Sequence, residues 1–522
     1  GILLVIACGV IVTAREIPCH IDEDVYGEKF SKCFHFFDEK LSFNKAEQLC
    51  QNLAGSLVSL RNKAEGQFVY WLAYEKFKST DYWIGGRKSE SGDHWQWNDG
   101  VNITYTDWAS GFPTQRSSLV CIAARVEDGK WIEAPCDDAK TFICQSAADN
   151  DMVTTKNKIN FGAGPAKIPE AVMERAHEEF LEYPGSGISM LEMSHRSKDF
   201  AEVLNTTEKL LREEMSIPNE FEVLFLQGGA TGQFSAIPLN LKNDKESADY
   251  AITGSWSSKS ALEATKYINI NHVFPPQKPY VTIPDESSWR KDPCAAYLYY
   301  CANETIHGIE FPKAPETIDG VPLVADVSSN VLSRPFSFEN HGAVFGGTQK
   351  NLGAAGLTIT IVRRDLIGNE HPLTPAVFNY AKMMKHHSVY NTPSVYSIYI
   401  TKLVLEWIRD NGGVNSLRER NQAKAKCIYE IISNSKGFYS CPVDPKYRSL
   451  MNIPFRIGGT AGDDELENKF IAGAVEMGMI GLKGHRSVGG IRASLYNAIT
   501  MEETMKLGEY MKHFMEVNYS NH

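Results

Sequence analysis

The sequence predicts a multidomain protein, in which a small disulfide-stapled α+β domain precedes a large α/β domain with a mainly parallel sheet and a small C-terminal α+β domain. Its 522 residues exceed what a single hydrophobic core supports. The cysteines are unevenly spread, because seven of the 11 lie within residues 1–144. From residue 159 onward, segments rich in Val, Ile and Leu alternate with helical stretches, and this alternation is typical of a parallel sheet covered by helices.

Composition and charge exclude several classes of protein. With 43% hydrophobic and 22% charged residues, the chain has the composition of a globular protein. A net charge of −11 argues against nucleic acid as a partner. The apolar run at residues 2–12 is too short to span a membrane, and it ends at the small residues Thr13 and Ala14. We therefore expect residues 1–14 to be a signal peptide, whose removal leaves an even number of cysteines in the front part.

The front part is rich in tryptophan and carries amphipathic helical patterns at residues 43–53 and 64–74. Such a composition suits a small domain with an aromatic core held by disulfide bonds. Three short motifs follow, namely YWIGG at 82–86, GKW at 129–131 and FIC at 142–144. With cysteines interleaved among these motifs, residues 19–145 resemble a C-type lectin-like domain. The resemblance implies the disulfide bonds Cys50–Cys144, Cys121–Cys136 and Cys19–Cys33.

Calcium-dependent sugar binding in the lectin family requires oxygen ligands on both sides of a proline and after a tryptophan. Here Phe112 precedes the proline and Ile132 follows the tryptophan, so neither position supplies a ligand oxygen. We expect no metal site, and the partner of this domain is then an unknown protein or a glycan bound without calcium. A glycosylation sequon begins at Asn102.

The rest of the chain divides into a linker and two further domains. Residues 146–158 are polar and without periodicity, as a linker should be. Residues 159–400 are expected to form the large domain, and residues 401–517 the small one. Helices are expected at 170–183, 201–215, 401–410 and 464–477, and strands at 221–226, 321–326 and 451–457.

The most informative segment is GGTQKNLG at residues 346–353, which places Lys350 on a glycine-rich turn after a short apolar strand. Another apolar strand ends at Asp326. A lysine held against a carbonyl cofactor forms a Schiff base with it, and an aspartate at another strand end grips the cofactor ring at its opposite pole. A lone lysine is most often a solvated surface residue, but the combination with Asp326 favours a pyridoxal phosphate site.

The rear part carries a series of motifs in the order found in the phosphoserine aminotransferases, a class-V family of pyridoxal phosphate enzymes of fold type I. They are NFGAGP (160–165), EMSHR (192–196), QGGATGQF (227–234), NETIHGI (303–309), the Lys350 segment, NTP (391–393) and KGHRSVGGIRAS (483–494). Residues 157–517 resemble this family throughout. The resemblance implies a transaminase that converts L-glutamate and 3-phosphohydroxypyruvate into 2-oxoglutarate and O-phospho-L-serine, a step of L-serine biosynthesis.

The same resemblance assigns residues to the cofactor. It implies that Lys350 attaches the cofactor and moves a proton between substrate and cofactor carbons. Asp326 would pair with the ring nitrogen, Trp256 would stack on the ring, and Thr305 would bond its phenolic oxygen. The cofactor phosphate would lie at the glycine-rich turn before a helix. The implied phosphate ligands are Ala230, Thr231 and Gln349, with Asn391 and Thr392 from the partner subunit of a homodimer.

Substrate recognition requires cations, because the phosphorylated substrates carry both a phosphate and a carboxylate. Arginine binds either anion through two parallel hydrogen bonds. The resemblance assigns the α-carboxylate to Arg492. It assigns the phosphate to two His-Arg pairs across the dimer interface, His195 with Arg196 and His485 with Arg486. Isolated His-Arg dipeptides are usually solvated surface residues, but both pairs occupy family positions.

Two alternatives stay open at this point. The chain is a secreted lectin-like binding protein whose rear part is inactive, or a merged gene model whose two modules act independently. The complete set of site residues argues against an inactive rear part. Serine biosynthesis implies a cytoplasmic aminotransferase, whereas the signal peptide and the lectin-like module imply secretion if they belong to the same natural chain. Sequons at Asn205, Asn303 and Asn518 sharpen this conflict, because Asn303 lies two residues from Thr305.

Overall fold

A computed structural model describes residues 25–27, 32–53, 55–89, 94–114, 121–147 and 158–519. The chain separates into two compact units, and the second unit begins at Lys158. The expected signal peptide, Cys19 and most of the expected linker lie outside the described residues.

The first unit combines a sheet with two helices in its described part. Its elements are β1 (Val25–Gly27), β2 (Lys32–Leu41), α1 (Phe43–Asn52), β3 (Gly55–Leu57), α2 (Lys63–Lys76), β4 (Asp81–Lys88), β5 (Trp95–Trp97), β6 (Cys121–Arg125), β7 (Trp131–Ala134) and β8 (Lys140–Ala147). The strands pair in the order β1-β2-β8-β4-β6-β7, with β3 on β8 and β5 on β4. Asn62 begins α2 by accepting a hydrogen bond of 2.9 Å from the backbone N–H of Glu65.

Aromatic rings and disulfide bonds hold the first unit together. Trp83 and Trp131 are fully buried, as the tryptophan content predicts. The bonds Cys50–Cys144 and Cys121–Cys136 are present, and they join α1 to β8 and β6 to the loop after β7. The third expected bond involves Cys19 and lies outside the described residues.

The second unit is organised around a seven-stranded sheet. The elements of its larger part are α3 (Glu170–Glu178), α4 (Lys198–Met215), β10 (Phe221–Leu226), α5 (Gly229–Leu241), β11 (Ser247–Ala251), α6 (Ser255–Ala264), β12 (Asn269–His272), β13 (Leu298–Cys301), β14 (Asn303–Glu304), β15 (Ile309–Glu310), β16 (Leu323–Asp326), β17 (His341–Gly347), β18 (Thr358–Arg363), α7 (Tyr380–Lys385) and α8 (Val395–Asp410). The strand order is β10-β18-β17-β16-β13-β11-β12. Only β18 in this sheet is antiparallel to its neighbours, so the other six strands end at one edge.

Helices cover both faces of this sheet, as the alternation of strands and helices predicts. Along β10, Val223 and Phe225 join the core under α4 and α8. Leu224 and Leu226 point to the opposite face and join the core under α5 and α6. Side chains that alternate in this way bury both faces of a strand, which explains the continuous apolar run at residues 223–226.

A smaller lobe completes the second unit. Its elements are β9 (Ile159–Asn160), α9 (Gly413–Asn434), β19 (Tyr439–Ser440), β20 (Asn452–Ile457), α10 (Asp464–Glu476), β21 (Met479–Ile480), β22 (Ile491–Ser494) and α11 (Met501–Asn518). The first strand of the second unit, β9, belongs to this lobe because it pairs with β21. The expected boundary at residue 400 falls inside α8, whose apolar side chains pack in the core of the larger part. After residue 400, the first side chain in the core of the smaller lobe is Ala425, so we propose that the boundary lies within α9.

Candidate active site

A cavity of about 470 Å³ opens at the edge where β10, β11, β13, β16 and β17 end. In sheets of parallel strands, this carboxyl edge is where ligands bind. The predicted site residues that line the cavity are Ala230, Thr231, Trp256, Thr305, Asp326, Gln349, Lys350, His485 and Arg492.

Lys350 lies in the turn that follows β17. Its Nζ donates a hydrogen bond of 2.9 Å to Oγ1 of Thr305. Gly164 leaves room for the lysine stem, because a Cβ on this glycine would lie 3.3 Å from Cγ of Lys350. Burial lowers the pKa of the Lys350 amine to about 8, although the carboxylate of Asp326 opposes this change. A neutral, nucleophilic amine is therefore populated near neutral pH.

Asp326 ends β16 with only 4% of its surface exposed. Its Oδ1 accepts two hydrogen bonds from Ser328, of 2.9 Å from the backbone N–H and 2.6 Å from the hydroxyl. Burial raises the pKa of the Asp326 carboxyl, while Ser328 and then Lys350 favour the charged form. Both hydrogen bonds engage Oδ1, so Oδ2 is available to a cationic donor in the cavity.

The glycine-rich turn before α5 is a candidate anion-binding site. Gly228 has a φ of 91° and Gly229 a φ of 63°, values that residues with a side chain rarely adopt. A Cβ on Gly229 would meet nothing within 4 Å, so the turn faces open space. The first N–H groups of a helix lack partners within the helix and attract an anion, and Ala230 and Thr231 in this first turn line the cavity.

Trp256 is held in the first turn of α6 by a buried acid. The carboxylate of Glu304 accepts hydrogen bonds from the backbone N–H groups of Trp256, at 3.0 Å, and Ser257, at 2.8 Å. The hydroxyl of Ser257 donates a third bond of 2.6 Å. Glu304 therefore fixes the backbone that carries Trp256, and it directly precedes Thr305, the residue that bonds Lys350.

An arginine and a histidine line the same cavity. Nη1 of Arg492 donates a hydrogen bond of 3.2 Å to the carbonyl of Thr305, whereas its buried Nε has no hydrogen-bond partner in the described chain. Burial lowers the pKa of Arg492, but a guanidinium remains charged in proteins. His485 is half-buried, and the backbone N–H of Ser487 donates to its Nδ1 at 3.2 Å. An anionic ligand would satisfy the unpaired donor of Arg492.

The other predicted site residues do not line this cavity. They are His195, Arg196, Arg486, Asn391 and Thr392. Arg196 and Arg486 are exposed. The carbonyl of Thr392 accepts a hydrogen bond of 2.9 Å from Nε2 of Gln227, just before the glycine-rich turn, so this segment lies near the anion-binding site.

Sequence reasoning gave no role to several residues that the structure places in or against the cavity. They are Cys301, Glu304, His307 and Ser328. Glu304 and His307 belong to the NETIHGI motif, so their position beside Thr305 was the available signal. Nε2 of His307 is hydrogen-bonded to Oγ of Ser255 at 2.9 Å. Burial, followed by the charges of His485 and Arg492, lowers the pKa of His307 to about 4.

Known proteins share this arrangement of sequence and fold. Residues 159–507 match the model of the class-V aminotransferases. A probable phosphoserine aminotransferase from Caenorhabditis elegans is 60% identical over 371 residues, which covers 71% of this chain and 100% of the relative. The chain belongs to the class-V aminotransferase family. The phosphoserine aminotransferase of Drosophila melanogaster is 51% identical, and the match covers 69% of this chain and 99% of that relative.

Solved structures of class-V aminotransferases agree with the second unit. The phosphoserine aminotransferase from Bacillus circulans subsp. alkalophilus is 41% identical with a TM-score of 0.67, covering 69% of this chain and 99% of that chain. A pyridoxal-phosphate-bound phosphoserine aminotransferase from Trichomonas vaginalis is 39% identical with a TM-score of 0.65, covering 68% and 99%.

Pyridoxal phosphate is the cofactor of this class-V aminotransferase, and the cavity fits it. The cavity offers a primary amine at Lys350, a buried carboxylate at Asp326 and an aromatic ring at Trp256. The open turn at Gly229 gives a phosphate access to the N-terminus of α5. These groups match the carbonyl, the ring nitrogen, the ring face and the phosphate of the cofactor.

Residues 39–146 match the model of the C-type lectin domain, so the first unit is a C-type lectin-like domain. One carboxylate near the positions considered for calcium is buried, and one of its oxygens accepts a hydrogen bond. Glu133 accepts a hydrogen bond from the backbone N–H of Thr114, and its Oε1 lies 3.9 Å from Nζ of Lys88. Among all the described residues of the chain, no helix is both long and apolar enough to cross a membrane.

Proposed function

We propose that the second unit transfers the amino group of L-glutamate to 3-phosphohydroxypyruvate, which gives 2-oxoglutarate and O-phospho-L-serine for L-serine biosynthesis. The observation that carries this proposal is the convergence of Lys350, Asp326 and Arg492 on one cavity beside the N-terminus of α5. The relatives from Caenorhabditis elegans and Drosophila melanogaster, named as phosphoserine aminotransferases, support this choice of substrate.

The residues proposed to hold the cofactor surround the cavity. Bound pyridoxal phosphate supplies an electron sink for the substrate carbon that loses its proton. Oδ2 of Asp326 would take the ring nitrogen, and the Trp256 ring would lie against the face of the cofactor ring. Thr305 would bond the phenolic oxygen, and Ala230, Thr231 and Gln349 would hold the phosphate.

Lys350 is proposed to move the proton and Arg492 to orient the substrate. With its pKa lowered to about 8, the Lys350 amine can accept a proton near neutral pH and return it. Because Lys350 lines the cavity, its amine would lie in the same enclosed site as a bound substrate, and proton transfer would then be effectively intramolecular. The unpaired Nε of Arg492 and its charge suit the α-carboxylate that every amino acid substrate presents.

The proposed active form is a homodimer. Arg196 is exposed, and neither it nor Asn391 nor Thr392 lines the cavity. A second copy that supplies His195, Arg196, Asn391 and Thr392 would complete the phosphate-binding sites. His485 and Arg486 would meet the substrate phosphate from the other side of the interface.

The direct test is the reaction of the purified full chain with L-glutamate and 3-phosphohydroxypyruvate. Mass spectrometry should detect O-phospho-L-serine with the wild-type protein and with Lys266→Ala, whose lysine is paired with Glu263 on the surface. Lys350→Ala should form none. A protein that aminates pyruvate or glyoxylate but not 3-phosphohydroxypyruvate would contradict the proposed substrate while leaving a transaminase.

The first unit is proposed to bind a protein or a glycan without calcium.

The aminotransferase is proposed to fold in the cytoplasm. Asn303 carries a sequon, but it is only 2% exposed, and its Nδ2 donates to Oγ of Ser329 at 2.9 Å and to Oδ1 of Asn452 at 2.8 Å. A glycan on this amide is incompatible with that packing. Secretion would apply if a signal peptide and both units belong to one natural polypeptide. Detection of one transcript and one polypeptide of 58.3 kDa that spans residues 146–158 would establish that both units are joined.

A further inference from the structure

Lys259 lies one turn after Trp256 on α6. Its exposed Nζ is 4.3 Å from the centre of the Trp256 ring. Residues three positions apart share one side of a helix, and Trp256 lines the cavity. The carboxylate of Glu304 fixes the start of this helix, so the lysine is carried by a rigid element beside the active site.

Three basic side chains, Arg492, Lys259 and Arg486, act electrostatically on His485 in the cavity. The pKa of His485 is lowered by burial and then by the charges of Arg492, Lys259 and Arg486. Glu304 is an acid in this region, but its carboxylate is buried and bound to the start of α6. Clustered cations that lack acidic partners raise the local concentration of a polyanion.

Lys259 differs from a second lysine close to it in the chain. Lys266, just after α6, forms an ion pair of 2.6 Å with Glu263. Lys259 has no ion pair with an acid anywhere in the described chain, and its ammonium lies over the Trp256 ring instead. Cation–π contacts at exposed sites are weak, and the long lysine stem is flexible, so the ammonium can leave the ring for a ligand at little cost.

We propose that Lys259 is a specificity-determining residue, whose ammonium attracts and binds the phosphate of the phosphorylated substrate beside His485. This inference rests on the function proposed above and adds a residue that neither the motifs nor the family resemblance indicated. The contribution of Lys259 should depend on the negative charge of the substrate side chain, because L-serine presents no anion there and O-phospho-L-serine presents two charges.

The test compares two substrates in single-turnover half-reactions of the pyridoxal-phosphate-loaded full chain. Lys259→Met keeps the stem and removes the charge, Lys259→Arg keeps a cation, and Lys266→Met is the matched control. We expect Lys259→Met to lower the second-order rate constant for O-phospho-L-serine about 5- to 30-fold, as for one partly exposed charge contact. The reaction of L-serine should change less than about twofold, and Lys259→Arg should recover most of the loss. The dissociation constant of inorganic phosphate, measured by calorimetry, should rise with Lys259→Met alone.

Three other outcomes would contradict either the role of Lys259 or the function proposed for the second unit. Equal losses for O-phospho-L-serine and L-serine would show that Lys259 only supports the Trp256 ring. Unchanged kinetics and unchanged phosphate binding in Lys259→Met would remove any role for the lysine. A wild-type protein that does not react with O-phospho-L-serine would instead contradict the proposed function, so the two failures are distinguishable.

Discussion

Titration of Lys350 in the cofactor-free protein tests the electrostatics of the cavity. Burial is the main cause that lowers the pKa of its amine from 10.5 to about 8. This difference corresponds to about 3 kcal/mol of unfavourable charge burial. At about pH 7.5, about a quarter of the Lys350 amines would be neutral, whereas about one in a thousand amines of an ordinary lysine would be neutral at the same pH.

The sign of the pH dependence follows from the lowered pKa. Below about pH 8 both the folded and the unfolded chain protonate Lys350, so the full cost of the buried charge is present. Between about 8 and 10.5 the unfolded chain binds more protons, and the stability of the cofactor-free fold rises with pH. Relative to Lys350→Met, the wild-type protein should gain at most about 3 kcal/mol over this interval.

Competitive acetylation followed by peptide mass spectrometry measures the titration directly. The reactivity of Lys350 should rise with a midpoint near 8, whereas a free lysine peptide in the same reaction should titrate near about 10.4. Asp326→Asn should move the midpoint lower still, because the Asp326 carboxylate is the main group that favours the charged amine. A midpoint at or above about 10, or a rise with Asp326→Asn, would refute this account of the cavity.

Three further predictions concern specificity, glycosylation and calcium. Arg492→Ala should lower kcat/KM for every amino acid substrate by at least about 30-fold, whereas Arg486→Ala should do so only for phosphorylated substrates. If Arg486→Ala lowered kcat/KM for L-serine as much as for O-phospho-L-serine, Arg486 would not bind the substrate phosphate. When the chain is expressed through a secretory pathway, its activity should fall in proportion to the fraction of Asn303 that carries a glycan, because this side chain is buried. Peptide mapping measures that fraction, and full activity of a protein glycosylated at Asn303 would contradict the buried position of this residue. On a glycan array the first unit should show no binding that chelator abolishes, because Phe112 and Ile132 supply no ligand oxygen.

The parts of the fold that follow from local pattern were predictable. The strand at 221–226 coincides with β10, since its apolar run is buried on both faces. The helix at 170–183 ends at Glu178 instead, where the backbone N–H of Phe180 turns back to the carbonyl of His177. Helix α9 was missed because Gly412 and Gly413 read as the end of α8, whereas they also begin the next helix. Local glycines mark a break in a helix, but they do not specify whether a loop or another helix comes next.

The site residues that lie at the ends of recognisable strands were predictable from the sequence. Lys350 and Asp326 follow neighbouring strands, so their meeting follows from parallel topology. Glu304 was not predictable in the same way, because it caps a helix 48 positions earlier in the chain. The pairing of Lys259 with the Trp256 ring likewise depends on how α6 is placed against the cavity. Arg196 and Arg486 are exposed and do not line the cavity, so their predicted role in binding the substrate phosphate stays a prediction.

Attachment of the cofactor to Lys350 is tested most directly by reduction of the pyridoxal-phosphate-loaded protein with borohydride, followed by mapping of the modified peptide. Lys350 has the lowered pKa, the bond to Thr305 and the position at the cavity that cofactor attachment requires. We expect a yellow protein whose cofactor becomes fixed to Lys350 and to no other lysine. A colourless protein after loading, or a cofactor fixed to a different lysine, would contradict the assignment.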